Sequence, residues 1–103
     1  MKRSIVLVGM MGAGKSAVGA ELARRLGVSL RDTDAEIVRA AAMTIPEIFA
    51  RDGEAFFRAR ESEVLARVLR GKPGIVSTGG GAWMSVENRA QVAARGVSVW
   101  LDV

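Results

Sequence analysis

The sequence contains no cysteine, no histidine and no tyrosine. Lack of cysteine excludes disulfides, a thiolate nucleophile and thiolate metal sites. Lack of histidine excludes an imidazole general base and most zinc sites. Aromatic residues are few, three Phe and two Trp, so a base-stacking surface is not indicated and no nucleic-acid partner is expected. No apolar run approaches the roughly 20 residues of a membrane-spanning helix, and no membrane partner is expected. The start, Met1-Lys2-Arg3-Ser4, runs directly into an apolar segment without a separate signal core or small-residue cleavage site. A cytoplasmic location fits these absences.

Half of the 103 residues are apolar, enough for the core of one domain spanning residues 1–103. Fifteen Lys and Arg against eleven Asp and Glu give a net charge of +4. The basic residues are interleaved with Ala, Glu and Leu on helical segments, as on solvated helix faces. The resulting positive field favours small anionic ligands.

Residues 9–16 read GMMGAGKS, which satisfies the phosphate-binding pattern G-x-x-x-x-G-K-[ST]. They follow an apolar strand at 4–8 and precede a helical segment at 17–26, the context that the pattern requires. Chance would produce the bare pattern in about three chains in a thousand of this length, and the flanking elements reduce that further. Gly12, Ala13, Gly14, Lys15, Ser16 and Ala17 therefore present main-chain N–H groups and a helix N-terminus to a nucleotide's phosphates. Lys15 is placed for the β- and γ-phosphates, and the Ser16 hydroxyl suits Mg²⁺, which prefers oxygen ligands.

Val18, Leu22 and Leu26 form the expected apolar stripe of that first helix, with Gly27 as its C-cap. A short strand at 28–31 leads into Asp32-Thr33-Asp34. Two acids at the end of a strand beside a phosphate loop point to ligand contact, one toward a metal and one toward the phosphoryl acceptor. The alternative is that one of the three N-caps the helix at 35–42. A helix from Thr44 carries a capping-box sequence, Thr44-Ile45-Pro46-Glu47. It breaks at Asp52-Gly53 and is followed by a helix at 54–70 with Phe57, Val64, Leu65, Val68 and Leu69 facing the core. Arg58 and Glu61 stand three apart on it and can touch; from the pattern alone Arg58 is a paired surface arginine, and Phe49 and Phe57 are core. A third strand at 75–78 ends in Gly79-Gly80-Gly81, whose bare backbone permits close approach of a ligand. A helix at 85–95 with Ser85 as N-cap and Val86, Ala90 and Ala93 inward, and a fourth strand at 97–101, complete a βαβααβαβ order. Parallel strands with right-handed crossovers then make an α/β, three-layer α/β/α sandwich.

GMMGAGKS at 9–16, DTD at 32–34, DGExxFR ending at Arg58, and GGG at 79–81 together make the sequence resemble the shikimate kinases, within the nucleoside-monophosphate-kinase-like P-loop family. The resemblance runs through nearly the whole chain. It implies ATP-dependent phosphorylation of the 3-hydroxyl of shikimate, with ATP as co-substrate and Mg²⁺ as cofactor. By position, Asp32 would hold the metal through water alongside Ser16, and Asp34 would bind the acceptor hydroxyl and draw off its proton. Arg58 would grip the shikimate carboxylate, and Gly79, Gly80 and Gly81 would meet substrate and γ-phosphate through main-chain N–H groups. Phe49, Phe57 and Glu61 would line or brace that pocket. A monomer is expected.

Two departures from the family pattern stand out. Ala17 occupies a position where a second hydroxyl residue is common. Shikimate kinases also continue past the fourth strand into a lid, a fifth strand and a final helix, with an arginine for ATP in the lid and a further one for shikimate. The expectation is accordingly a truncated domain, its sheet ending at 97–101 with apolar surface left uncovered beside the central strand, and catalysis poor or lost. The alternatives are a related small-molecule kinase, such as a gluconate-kinase-like enzyme, and a nucleotide-binding module without catalysis. A regulatory GTPase is disfavoured by the lack of an [NT]-K-x-D stretch.

Overall fold

The computed structural model describes residues 3–9 and 13–101, and of residues 13–16, 80–81 and 100–101 the backbone only. The elements run β1 (Ser4–Gly9), α1 (Ala13–Leu26), β2 (Leu30–Asp32), α2 (Thr33–Ala41), α3 (Ile45–Asp52), α4 (Glu54–Arg70), β3 (Ile75–Gly79), α5 (Gly80–Trp83), α6 (Val86–Arg95) and β4 (Gly96–Leu101). The strands pair in parallel in the order β2-β3-β1-β4. Gly9 stands opposite Gly79 and Leu101, and Asp32 opposite Ser77. The carboxyl ends of all four strands therefore open on one edge.

Strand alternation sorts the core. Val6, Val8 and Val76 pack with Leu65, Val68, Leu69 and Val92 on the α4 and α6 side, whereas Leu7 and Ile75 pack with Ala23 of α1 on the other. This is the expected three-layer sandwich. Full burial of each Leu, Ile or Val contributes roughly 1.5–3 kcal/mol. A separate cluster of Ile37, Ile48 and Phe57 holds α2 and α3 against α4, and the rings of Phe49 and Phe57 meet edge-on at 5.1 Å. Among the described residues no helix is long and apolar enough to cross a membrane.

Local signals place α3 and α4 well. Thr44 caps α3 through a capping box with Glu47, and α4 spans the expected 54–70. Other expectations need correction. Helix α1 begins at Ala13, inside the phosphate-loop motif, rather than at Ala17. Its buried face is Gly19 and Ala23, whereas Val18 and Leu26 are 39% and 49% exposed. An added Cβ on Gly19 would lie 3.1 Å from Leu30 Cδ1 and 3.3 Å from Leu7 Cδ1. Small residues let the helix backbone settle on the sheet, and that contact turns Val18 and Leu26 outward. Helix α6 is also rotated from expectation: Val86 is 69% exposed and Asn88 and Val92 are buried, with Ala90 and Ala93 on the surface. The three helices expected between β2 and β3 are all present, one more than the βαβααβαβ order counts, and a one-turn helix follows β3. Strand β2 is short and lies at 30–32, later than the strand expected at 28–31.

Strand β4 lies at an edge of the four-stranded sheet. Val97 and Val99 are 50% and 39% exposed, and pair in register with Ile5 and Leu7. The exposed apolar surface therefore lies on the edge strand itself, whereas the expectation set it beside the central strand, where Val6, Leu7 and Val8 of β1 are fully buried.

Candidate active site

The carboxyl edge of a parallel sheet collects loops and helix N-termini, and is where ligands of open α/β sheets bind. At this edge β1 leads toward α1, β2 into α2, and β3 into α5. Ala13, Gly14, Lys15 and Ser16 lie in the first turn of α1, followed by Ala17; Gly12 lies outside the described residues. Asp32 ends β2, and Asp34 sits in the first turn of α2. Gly79 ends β3, with Gly80 and Gly81 opening α5.

The three residues of the DTD stretch do different things. Asp32 is the N-cap of α2, its Oδ1 accepting from the Ala35 N–H at 3.0 Å. The capping alternative is thus realised at Asp32, using one of its two oxygens. Thr33 is fully buried, its Oγ1 lying 3.4 Å from both the Ser77 carbonyl oxygen and Thr78 Oγ1. That contact ties the start of α2 to β3. Asp34 faces the glycine turn: a Cβ built on Gly79 would stand 3.1 Å from its Oδ2. A side chain at 79 would press on the carboxylate, so glycine suits the close approach.

Helix α4 brings Arg58 and Glu61 to the same place. Arg58 Nη1 donates to Glu61 Oε1 at 3.0 Å, and Arg58 Nε lies 3.6 Å from Glu54 Oε1. The guanidinium also lies over the Phe57 ring, 5.4 Å from its centre. Glu61 is 1% exposed. Burial pushes its carboxyl from the ordinary 4.5 up to about 7; the hydrogen bond from Arg58 opposes that, and Asp34 adds to it through charge and hydrogen bonding. Arg58, Glu61 and Asp34 thus form one chain of interacting charged groups, joining α4 to α2 beside Gly79. Arg58 thus pairs with Glu61, as their spacing predicts, and also with Glu54 one turn earlier.

The depth of Glu61 was missed from the pattern, although its spacing of four from Phe57 and four from Leu65 puts it on the core stripe. Thr33 and Asn88 were missed as well, since a buried hydroxyl or amide leaves no periodic signal. A cleft of about 390 Å³ lies between α2, α3 and α4, bordered by Ile37, Phe56, Arg60, Val64 and Arg67. It includes none of Asp34, Arg58 and Gly79. Its Arg60 and Arg67 are paired with Glu63 and Glu36.

Among the described residues there is no group of three or more acidic residues able to hold a metal. Asp32 and Ser16 are both hard oxygen donors. That set suits a cation that keeps water and phosphate oxygens as its other ligands, as Mg²⁺ does.

A parallel α/β sandwich with a phosphate-loop sequence opening α1, acids after β2 and a glycine turn after β3 defines a P-loop domain of the kinase type. The family model described as shikimate kinase matches residues 11–103. A shikimate kinase of Ruegeria pomeroyi is 61% identical over 101 residues, covering 98% of this chain and 52% of that protein. One from Cereibacter sphaeroides is 62% identical over 101 residues, with 98% and 51% covered. The structure of a shikimate kinase from Acinetobacter baumannii in complex with shikimate superposes with a TM-score of 0.92 at 44% identity, covering 98% of this chain and 56% of that one. The chain belongs to the shikimate kinase family. It spans about half the length of the curated relatives it matches.

Proposed function

We propose that this chain carries the phosphate-binding and acceptor-binding groups of an ATP-dependent kinase acting on the 3-hydroxyl of shikimate. The observation that carries this reading is the Arg58–Glu61–Asp34 chain beside Gly79. It joins a cation suited to a small carboxylate with an acid suited to a hydroxyl, at the sheet edge where α1 begins. The family membership and the shikimate-bound relative support it.

In this reading the Arg58 guanidinium binds the acceptor's carboxylate, where its planar fork suits two parallel hydrogen bonds. Glu61 holds that guanidinium in orientation. Asp34 accepts a hydrogen bond from the reacting hydroxyl and takes its proton as the phosphoryl group transfers. The main-chain N–H groups of Gly79, Gly80 and Gly81 meet the substrate and the transferring phosphate. Gly12, Ala13, Gly14, Lys15, Ser16 and Ala17 cradle the nucleotide, Lys15 offsetting charge on the β- and γ-phosphates. Ser16 directly, and Asp32 through water, would hold Mg²⁺, which when bound neutralises phosphate charge. The protein aligns the groups and forms no covalent intermediate. The same reading makes the protein a cytoplasmic monomer with shikimate and ATP as its partners.

The test is calorimetric titration of the purified 103-residue chain with shikimate and with a non-hydrolysable ATP analogue plus Mg²⁺, alongside an assay of ADP release. Saturable binding of both is expected, with nucleotide binding weakened in Lys15→Met. Absence of shikimate binding, or a preference for gluconate, overturns the reading.

A further inference from the structure

The turn at 79–81 has no side chains with which to hold itself. It runs straight into α5, a single helical turn whose last carbonyls have no partner within the helix. Both of its final carbonyls are met from α6. Asn88 Nδ2 donates to the Ala82 oxygen at 2.9 Å, and an Arg89 guanidinium N–H donates to the Trp83 oxygen at 2.8 Å. Asn88 and Ala82 are 4% and 1% exposed. The two donors start from a fixed platform, because Ser85 Oγ caps α6 at the Asn88 N–H, 3.3 Å away. The Ser85 N–H also reaches the Ala82 oxygen, at a longer 3.4 Å.

We propose that Asn88, seconded by Arg89, is a positioning residue for acceptor binding: it clamps the carboxyl end of α5 and so sets the backbone of the glycine turn at 79–81. The role in binding rests on the proposed contact of that turn with shikimate. The clamp itself rests only on the geometry. Asn88 reaches α5, and its side chain is buried with its Nδ2 on the Ala82 carbonyl. Its one evident service is to hold the Ala82 carbonyl. Ala82 follows immediately on Gly81, so a displaced Ala82 moves the turn directly.

Four variants of the purified chain test this: Asn88→Leu, which keeps size and loses the donor; Arg89→Met and Arg89→Lys, without and with a donor; and Val92→Ala, which loosens the same helix in the core without touching the clamp. Asn88→Leu is expected to weaken shikimate binding about tenfold, the loss of one buried hydrogen bond, with binding of the ATP analogue unchanged. Arg89→Met weakens shikimate less, and Arg89→Lys restores it. Val92→Ala lowers the melting temperature without weakening shikimate. Unchanged shikimate affinity in Asn88→Leu, or a loss matched by Val92→Ala at equal loss of stability, overturns the role. Backbone amide resonances of 79–81 provide a readout independent of substrate: they must shift in Asn88→Leu even if the unsubstituted chain binds no shikimate. Unmoved resonances overturn the clamp, whereas shifted resonances without shikimate binding support it and count against the functional reading alone.

Discussion

Arg58 Nη1 lies 3.0 Å from Glu61 Oε1, and the two side chains differ sharply in exposure: the guanidinium is half open while the carboxyl is enclosed. A buried carboxyl held by a half-exposed cation is a poor source of net stability, because desolvation opposes the Coulomb attraction. It is a good way to fix a guanidinium in one orientation. The partner on the other side is Asp34, and Glu61 is therefore squeezed between a cation that favours its charge and an anion that opposes it.

This arrangement makes stability depend on pH in a definite direction. The folded carboxyl of Glu61 titrates at about 7 against an ordinary 4.5, so the folded protein binds more protons than the unfolded chain between these values. The contribution of Glu61 is fully present below the lower value and is lost as pH rises through the higher one. Urea denaturation between about pH 5 and pH 8 should show wild-type stability falling relative to Glu61→Gln, which has no such titration. Parallel pH profiles for the two proteins would contradict the prediction.

Removing the cation should separate binding from folding. Arg58→Ala is expected to weaken shikimate at least tenfold, as a hydrogen bond to a charged group is worth about 1.5–3 kcal/mol. Nucleotide affinity should be unchanged, because α1 does not carry Arg58. Calorimetry on both ligands decides it; equal losses for the two would indicate general damage.

Gly79→Ala tests the close approach of the turn to Asp34. The new Cβ would stand 3.1 Å from Asp34 Oδ2, so the carboxylate must shift by a few tenths of an ångström. A loss of about 1 kcal/mol of stability is expected from such crowding, with shikimate affinity falling several-fold and nucleotide affinity retained. Unaltered shikimate affinity would show that Asp34 relaxes freely.

Thr44→Ala should lower stability by about 1 kcal/mol, the usual value of an N-cap. Thr44 Oγ1 accepts from the Glu47 N–H at 3.3 Å, and Glu47 Oε1 in turn accepts from the Thr44 N–H at 3.3 Å. Glu47→Ala should give a smaller loss, and the double variant less than the sum, since the two bonds form one motif. An unchanged denaturation midpoint in Thr44→Ala would refute the cap.

Where a signal is local, reading it from the chain succeeds. The capping box at Thr44 and the Pro46 beside it depend on residues within one helical turn of each other, and a glycine at each end, Gly53 and Gly71, bounds α4. Phe57, Leu65, Val68 and Leu69 fall on the buried face because hydrophobic periodicity and burial agree there. They disagree in part in α1, where Leu22 packs on the core as its stripe predicts but Val18 and Leu26 turn outward, because Gly19 rather than they meets the side chains of Leu7 and Leu30. They disagree again in α6, where the buried face includes Asn88, a polar residue that no apolar pattern can reveal.

What the amino-acid order determined by itself is the chemistry available and the scaffold to carry it. There is no imidazole or thiol, a phosphate loop follows an apolar strand, and parallel strands end in acids and glycines. Tertiary structure alone decided which acid does what: Asp32 caps a helix, Asp34 faces the glycine turn, and Glu61 is buried against Arg58. The reason is distance along the chain. Thr33 meets Thr78 from 45 residues away, and Asp34 meets Gly79 across the gap between two strand ends. Burial and proton affinity arise from such meetings, and no spacing within either segment encodes them.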